Sequence, residues 1–351
     1  MLPFSASAQV SSPNPVHEAI AAAAAWHPVD DSASGTANAA SSSGLLSSAG
    51  ALAQPPKSAK PAKANGDSDG PPIEASTVGY IDNAIVGSEI RTRFDAAFDD
   101  NNPDRAEFFY AECGCDSSTA RGPNGLVKAL NFEQLYLTGE IAPARRLSFL
   151  VDVPLRWIQP QAFVAGSGGF TNQGGISDVQ AGFKFAAVAA HREYVTFQFV
   201  ASFPSGNSTE GLGTAHYSVT PSLLYFQKVT DRFSFEGQLG DTHPIGGDTP
   251  GFTGDVLNYG VGPSYELYQG ENLRFAPVLE LVGWKVLGGM QTSFIPAWSI
   301  TSTDGINIVN LKVGARTSFG EHDSFYLGFG QALTHELWYK HIIRLEYRHS
   351  F

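Results

Sequence analysis

The fold that the sequence predicts is all-β: a transmembrane, antiparallel, up-and-down β-barrel of about twelve strands, preceded by a disordered N-terminal tail. Three observations predict it. From Ile90 onward, segments of about ten residues alternate large apolar and polar side chains, which is a strand with one greasy and one wet face. The connections between these segments alternate in length. Only 16% of the 351 residues are charged, while 12% are aromatic and 37 are Gly; a soluble domain carries about 25% charged residues.

Residues 1–78 precede the pattern and read as a disordered tail or linker, processed or periplasmic. They are rich in Ala, Ser, Pro, Gly and Asn, and Pro55-Pro-Lys-Ser-Ala-Lys-Pro-Ala-Lys63 is an extended spacer. Such a composition buries too little apolar surface to offset the entropy of ordering the chain. Met1–Gln9 ends in an A-x-A-like stretch but has neither a basic start nor an apolar core. A signal peptide is therefore not evident there.

Residues 79–351 are the expected barrel. Its first strand, at Ile90–Phe98, places Phe94, Ala96 and Phe98 opposite Arg91, Arg93 and Asp95. The stretch 101–129 is expected as one long first loop. Strands follow at Phe132–Ile141 and Leu147–Trp157. In the second of these, Leu147, Phe149, Val151, Val153, Leu155 and Trp157 oppose Asp152 and Arg156. Further alternating runs start at Val179, Val195, Tyr217, Phe233, Leu257, Leu273, Val309 and Phe325. Each spans about 9–12 residues, enough for a tilted strand to cross a bilayer.

Five connections are tight and charged: A-R-R at 144–146, H-R-E at 191–193, T-D-R at 230–232, G-E-N at 270–272 and E-H-D at 321–323. Between them lie longer Gly-, Ser- and Thr-rich loops near 160–175, 204–214, 243–255 and 287–303. Short turns on one side and long loops on the other are the pattern of membrane barrels; an even strand count then leaves both termini beside the short turns. Trp157, Tyr225, Trp284, Tyr347 and Phe351 lie toward strand ends, as aromatic girdles would.

The chain closes on Ile342-Ile-Arg-Leu-Glu-Tyr-Arg-His-Ser-Phe351. Ile343, Leu345, Tyr347 and Phe351 share a face opposite Arg344, Glu346 and Arg348. This ending resembles the closing strand of bacterial outer-membrane barrels, whose C-terminal aromatic is a recognition mark. The resemblance implies that Tyr347 and Phe351 are an assembly signal read by the barrel-assembly machinery.

Several function classes are excluded or disfavoured. A net charge of −12 argues against nucleic acid, whose binders need clustered Lys and Arg. No run of about 18 apolar residues forms a transmembrane helix. Cys113 and Cys115 sit in C-G-C, and two thiols alone make no tetrahedral zinc site; a local disulfide in an oxidising compartment is their candidate role. No phosphate loop, zinc motif or cofactor fingerprint is present, so neither metal nor cofactor is expected.

Arg93-Phe-Asp-Ala96, Pro103-Asp-Arg-Ala-Glu-Phe-Phe-Tyr110, Cys113-Gly-Cys115, Gly175-Ile-Ser-Asp-Val-Gln-Ala-Gly-Phe-Lys184, Phe203-Pro-Ser-Gly206 and Gly211-Leu-Gly-Thr-Ala-His-Tyr-Ser218 together resemble outer-membrane transporters of the phenol-degradation meta-pathway type. The resemblance covers residues 79–351 and rests on loose glycine-and-turn patterns. It implies a Gram-negative-type envelope and passive uptake of small, often aromatic or apolar, solutes.

If the apolar face meets lipid, the opposite face lines a lumen, because ionisable groups at membrane depth must face water or one another. The candidates are Arg91, Arg93, Asp95, Asp152, Arg156, Asp178, Lys184, Glu236, Glu266, Arg274, Glu280, Lys312, Arg316, Arg344, Glu346 and Arg348. They form either a mixed field that filters solutes or ion pairs that fill a narrow barrel. Arg91, Arg93 and Asp95 are the expected neighbours of Arg344, Glu346 and Arg348 across the closing seam. Twelve strands enclose a space between a packed eight-stranded barrel and an open porin, so a plug made from 101–129 or from the N-terminal tail has room.

No enzyme is expected. The exception weighed is His216-Tyr-Ser218, which puts a base and a nucleophile two apart on one strand face and resembles the outer-membrane phospholipase pattern. A lipid-modifying barrel enzyme, or a structural or surface-interaction barrel that transports nothing, is the alternative to a channel.

Overall fold

The structure, a computed structural model, describes residues 76–101, 103, 122–246, 253–294 and 297–351. The expected tail up to residue 75, the segment 104–121 of the first loop, and the pair Cys113 and Cys115 lie outside the described residues.

The strands are β1 (Glu89–Asp100), β2 (Val127–Ala144), β3 (Leu147–Phe163), β4 (Gln173–Ile176), β5 (Val179–Ala190), β6 (Glu193–Phe203), β7 (Tyr217–Lys228), β8 (Phe233–Ile245), β9 (Val256–Tyr265), β10 (Tyr268–Gln269), β11 (Leu273–Val286), β12 (Met290–Phe294), β13 (Trp298–Ser302), β14 (Asn307–Phe319), β15 (Asp323–Ala332) and β16 (His341–Ser350). Twelve of them are the staves of a closed antiparallel barrel. β4 and β5 share one stave, since both pair with β3. β10 is a two-residue extension beside β11, and β12 and β13 form a separate hairpin in the long connection between β11 and β14. Closure comes from β1 on β16, paired from Glu89↔Ser350 to Phe98↔His341. The barrel sheet, so closed, has no open edge of its own.

Five tight turns and both ends of the barrel sequence lie at one rim, and the long connections lie at the other. The first long connection joins β1 directly to β2, which are register partners. β2 begins at Val127, so residues 127–129 of the expected loop belong to that strand. β2 and β3 run 18 and 17 residues, longer than the sequence pattern implies. Their hairpin continues past the roughly 9–11 residues that cross a bilayer.

Side-chain placement is inverted relative to a water-soluble protein. The two largest fully buried side chains are Arg316 and Arg348, whereas Phe149, Leu223, Leu327 and Val313 are about half exposed on the outer wall. Charged groups inside and aliphatic groups outside make physical sense only if the outer solvent is hydrocarbon. Among the described residues no helix is long and apolar enough to cross a membrane; the strands do the crossing.

The interior also has an apolar fraction. Leu224 and Phe226 of β7, Leu130 and Phe132 of β2, Ile158 of β3 and Val278 and Val282 of β11 all point inward and are buried. Trp284 corrects the expected girdle. It lies four residues after Glu280, hence on the same inward face, and its ring meets that of Trp338, with centroids 4.6 Å apart. Trp157, Tyr347 and Phe351 remain exposed on the outside.

Candidate functional site: the barrel lumen

The lumen is built by strand parity. In β16, Arg344, Glu346 and Arg348 are buried, while Ile343, Leu345 and Tyr347 face out. Their partners in β1 are Asp95, Arg93 and Arg91, in that order. Arg344 grips Asp95 with two hydrogen bonds, Nε to Oδ1 at 2.6 Å and Nη2 to Oδ2 at 2.7 Å. Glu346 is shared by Arg316 at 2.7 Å and Arg348 at 3.0 Å, and Arg348 also lies 3.5 Å from Glu89. Arg93 stacks over the Tyr136 ring at 3.8 Å. Bidentate and shared pairs of this kind satisfy charges that the surrounding hydrocarbon would otherwise penalise.

The other expected lumen residues spread around the wall. Asp152 and Arg156 are buried on β3, Lys184 on β5, Glu236 on β8, Glu280 on β11 and Lys312 on β14. Lys184 pairs with Glu140 at 2.8 Å, and Asp152 accepts from the Thr138 hydroxyl at 2.9 Å. Asp178 sits in the short break between β4 and β5. There it accepts from the backbone N–H of Gly206 and from both the N–H and hydroxyl of Thr214, bracing the β6–β7 loop. Glu266 and Arg274 lie at the tight-turn rim, where Glu266 faces Lys228 at 3.9 Å and accepts from Gln269.

The chain ahead of β1 is inside this wall. Ser76–Val78, which composition assigns to the tail, are buried, and so are Ile81, Ala84, Ile85 and Val86. The sequence there, S-T-V-G-Y-I-D-N-A-I-V-G-S, has the apolar anchors that the Ala/Ser/Pro stretch before it lacks. Glu280 takes the N–H groups of Gly79, Tyr80 and Ile81 at 3.2, 2.9 and 2.8 Å, and the Tyr326 hydroxyl at 3.0 Å. Glu236 takes the Ser76 hydroxyl and the Thr77 N–H, both at 3.1 Å. On the carbonyl side, Arg316 donates to Thr77 and Val78, and Arg344 to Gly79. Further along, Gln238 accepts from Asp82 N–H, Gln198 donates to the Asp82 carboxylate and Thr196 to the Ala84 carbonyl.

Small residues make room for this segment. A Cβ at Gly262 of β9 would stand 3.0 Å from both Glu280 Cγ and Val78 Cγ1; a Cβ at Gly79 would stand 2.2 Å from the Tyr326 ring. Val78 and Ile81 pack with Val278 and Val282. Ala84, Ile85 and Val86 pack with Ala186, Ala189, Tyr194, Leu224 and Phe226. The Tyr80 ring lies under two basic side chains, Lys312 Nζ at 3.9 Å and the Arg344 guanidinium at 4.2 Å. Ser88 ties the exit: its hydroxyl accepts from Ala142 N–H and its carbonyl from Phe351 N–H, both at 3.0 Å.

Polar cavities remain beside and above the segment. One of about 260 Å³ is lined by Asp82, Arg156, Asp178, Gln180, His216, Ser218, Asn258 and Trp338, among others. A second, of about 230 Å³, runs between Phe132, Trp284, Trp338, Tyr339, Arg156 and Arg344. A third, of about 140 Å³, lies among Arg91, Arg93, Glu140, Asp152 and Lys184. The first shares Gln134, Tyr136, Arg156, Gln180 and Trp338 with the second, and Asp82, Gln180, Gln198 and Val200 with the third. Trp338 and Tyr339 come from the β15–β16 loop, which dips inward until Tyr339 accepts from Lys312 Nζ at 2.5 Å.

His216 and Ser218 line the first cavity, but no hydrogen bond joins them. The His216 Nδ1 donates to the Thr214 carbonyl at 2.8 Å. Burial pushes its imidazole below the usual range, against the opposing pull of that hydrogen bond and of Asp178. Among the described residues no group of His, Cys, Asp or Glu is arranged to hold a metal ion.

The fold is that of an outer-membrane β-barrel: an even number of antiparallel strands, an apolar outer wall, a charged lumen and alternating short and long connections. No family model matches the sequence, and no curated protein matches it. Among solved structures, the chain is similar to an outer membrane channel from Pseudomonas putida F1, at 16% identity over 76% of this chain and 96% of that one, with a TM-score of 0.49. It is also similar to the KdgM porin, at 11% identity over 75% and 99% of the two chains and a TM-score of 0.38, and to the NanC porin, at 8% identity over 76% and 99% and a TM-score of 0.39. Likeness at this level carries no argument about function, which rests on the lumen itself.

Sequence parity alone could have found Glu89 and Glu140, since they share faces with Arg91 and with Thr138. The lumenal role of Ser76–Ser88 had only a faint signal: Val78, Ile81, Ile85 and Val86 stand out from a low-complexity background but keep neither strand nor helix period.

Proposed function

We propose that this protein is a channel of a bacterial outer membrane that passes small solutes, aromatic ones among them, down their gradient, with its own segment Ser76–Ser88 as the plug. The observation that carries the reading is the division of the lumen. The two larger polar cavities occupy the half toward the long loops, and a buried peptide held side-on by Glu236, Glu280, Arg316 and Arg344, with the smallest cavity beside it, occupies the half toward the tight turns. A barrel serving only as a structural post would fill that space with wall side chains. Here the wall carries glycine at Gly262 where the segment sits, and the segment is joined to the wall by side-chain contacts rather than by a strand ladder.

In this reading the tight turns and both ends of the barrel face the periplasm. Tyr347 and Phe351 serve the barrel-assembly machinery. The charged wall filters by a mixed field, and the rings of Phe132, Trp284, Trp338 and Tyr339 receive flat apolar parts of a solute. The test is ion conductance and solute-driven swelling with the full chain in planar bilayers and liposomes. The expected result is small, fluctuating conductance that rises when the plug is displaced. A barrel of correct heat-modifiable gel mobility that stays sealed with its plug displaced would overturn the reading.

A further inference from the structure

We infer that the constriction is an amide-recognition site, and that the plug occupies it as a stand-in for an amide-bearing solute such as a short peptide. The inference rests on the channel reading above. Its basis is how two successive peptide groups are held. In the Val78–Gly79 peptide, the carbonyl accepts from Arg316 Nη2 at 2.8 Å and the N–H donates to Glu280 Oε2 at 3.2 Å. In the Gly79–Tyr80 peptide, the carbonyl accepts from Arg344 Nη1 at 2.5 Å and the N–H donates to Glu280 Oε1 at 2.9 Å. Each amide is thus bracketed by a guanidinium on oxygen and a carboxylate on nitrogen.

These contacts read backbone, not side chains, so they do not depend on the plug's own sequence. The residue between the two amides is a glycine, pressed against the Tyr326 ring. The bracket is also rigid without the plug. Arg344 is fixed by its two bonds to Asp95, Arg316 by Glu346 and Ser324, and Glu280 by the Tyr326 hydroxyl. When the plug leaves, two guanidiniums and one carboxylate stay in place at the spacing of a dipeptide backbone. A solute with the same alternation of acceptor and donor replaces those bonds; an ether of equal size supplies acceptors for the arginines and nothing for Glu280.

The test uses the full chain carrying Val78→Asp and Ile81→Asp, which spoil the apolar seat of the plug and leave the bracket untouched. Folding is checked by heat-modifiable mobility. In planar bilayers, N-acetyl-glycyl-glycinamide and triethylene glycol dimethyl ether, both uncharged and the second without any N–H or O–H donor, are added in turn. The expected result is raised conductance, with half-block by the peptide at a concentration roughly tenfold or more below that of the dimethyl ether, the worth of one ordinary charge-assisted hydrogen bond. Adding Glu280→Gln should erase the difference, and Arg344→Lys reads the same bracket from the carbonyl side should Glu280→Gln fail to fold. Raised conductance with equal block by the two probes overturns the amide assignment and spares the channel. Unraised conductance overturns the plug and the assignment with it.

Discussion

Arg344 and Asp95 face each other across the seam where the last strand meets the first, joined by two bonds of 2.6 and 2.7 Å. The third guanidinium nitrogen of Arg344 reaches the Gly79 carbonyl. One side chain therefore bridges the closing seam and holds the segment ahead of β1.

Asp95→Asn should damage both functions at once. It leaves Arg344 buried beside a neutral amide, and removing one partner of a buried pair costs about 3–5 kcal/mol. The expected outcome is a lower temperature for loss of the compact gel form, together with a larger single-channel conductance as Arg344 loses its fixed orientation toward Gly79.

Gly262→Val should unseat the plug from the wall side. The first added carbon already meets Val78 and Glu280 at 3.0 Å, closer than ordinary contact, and the two methyls beyond it have no room. β9 tolerates valine as a strand residue, so the barrel should fold normally. Planar-bilayer recordings should show conductance raised severalfold with unchanged heat-modifiable mobility.

Trp157 and Trp284 should report opposite environments despite both being strand tryptophans. Trp157 is exposed on the outer wall, whereas Trp284 lies against Trp338 inside. In variants keeping one tryptophan each, brominated lipids should quench Trp157 strongly and Trp284 hardly at all. Equal quenching would show that the inward assignment of Trp284 is wrong.

Leu327→Arg tests the outer wall. Leu327 is half exposed on β15 between Phe325 and Phe329, and arginine at the lipid face of a barrel costs about 2–4 kcal/mol near the bilayer midplane. Refolding yield into vesicles, measured by the heat-modifiable shift, should fall sharply. Leu327→Met should leave it unchanged.

The staves were legible in the sequence because a strand's two faces have a period of two and the two solvents here differ greatly. Arg344, Glu346 and Arg348 alternate with Ile343, Leu345 and Tyr347 so cleanly that their faces follow from counting, and barrel closure makes Arg91, Arg93 and Asp95 their neighbours; which residue pairs with which is set by the strand register of the structure. Trp284 is legible by the same count: its parity with Glu280 puts it inside, and its closeness to a strand end does not make it part of a girdle. Ser76–Val78 are hard to read for a different reason. Their composition matches the tail, and a segment held by bonds to its backbone leaves little trace in its own side chains.

The sequence by itself determined that the chain forms a closed barrel and which face of each strand is apolar and which is charged. Hydrophobic alternation and turn parity are local properties, readable one strand at a time. Only the tertiary structure decided what the lumen does with its charges. Glu280 and Arg344 lie 64 residues apart in the sequence, and nothing in their neighbourhoods says that both will close on the peptide at Gly79. That meeting depends on barrel closure, which brings distant strands around one short stretch of backbone.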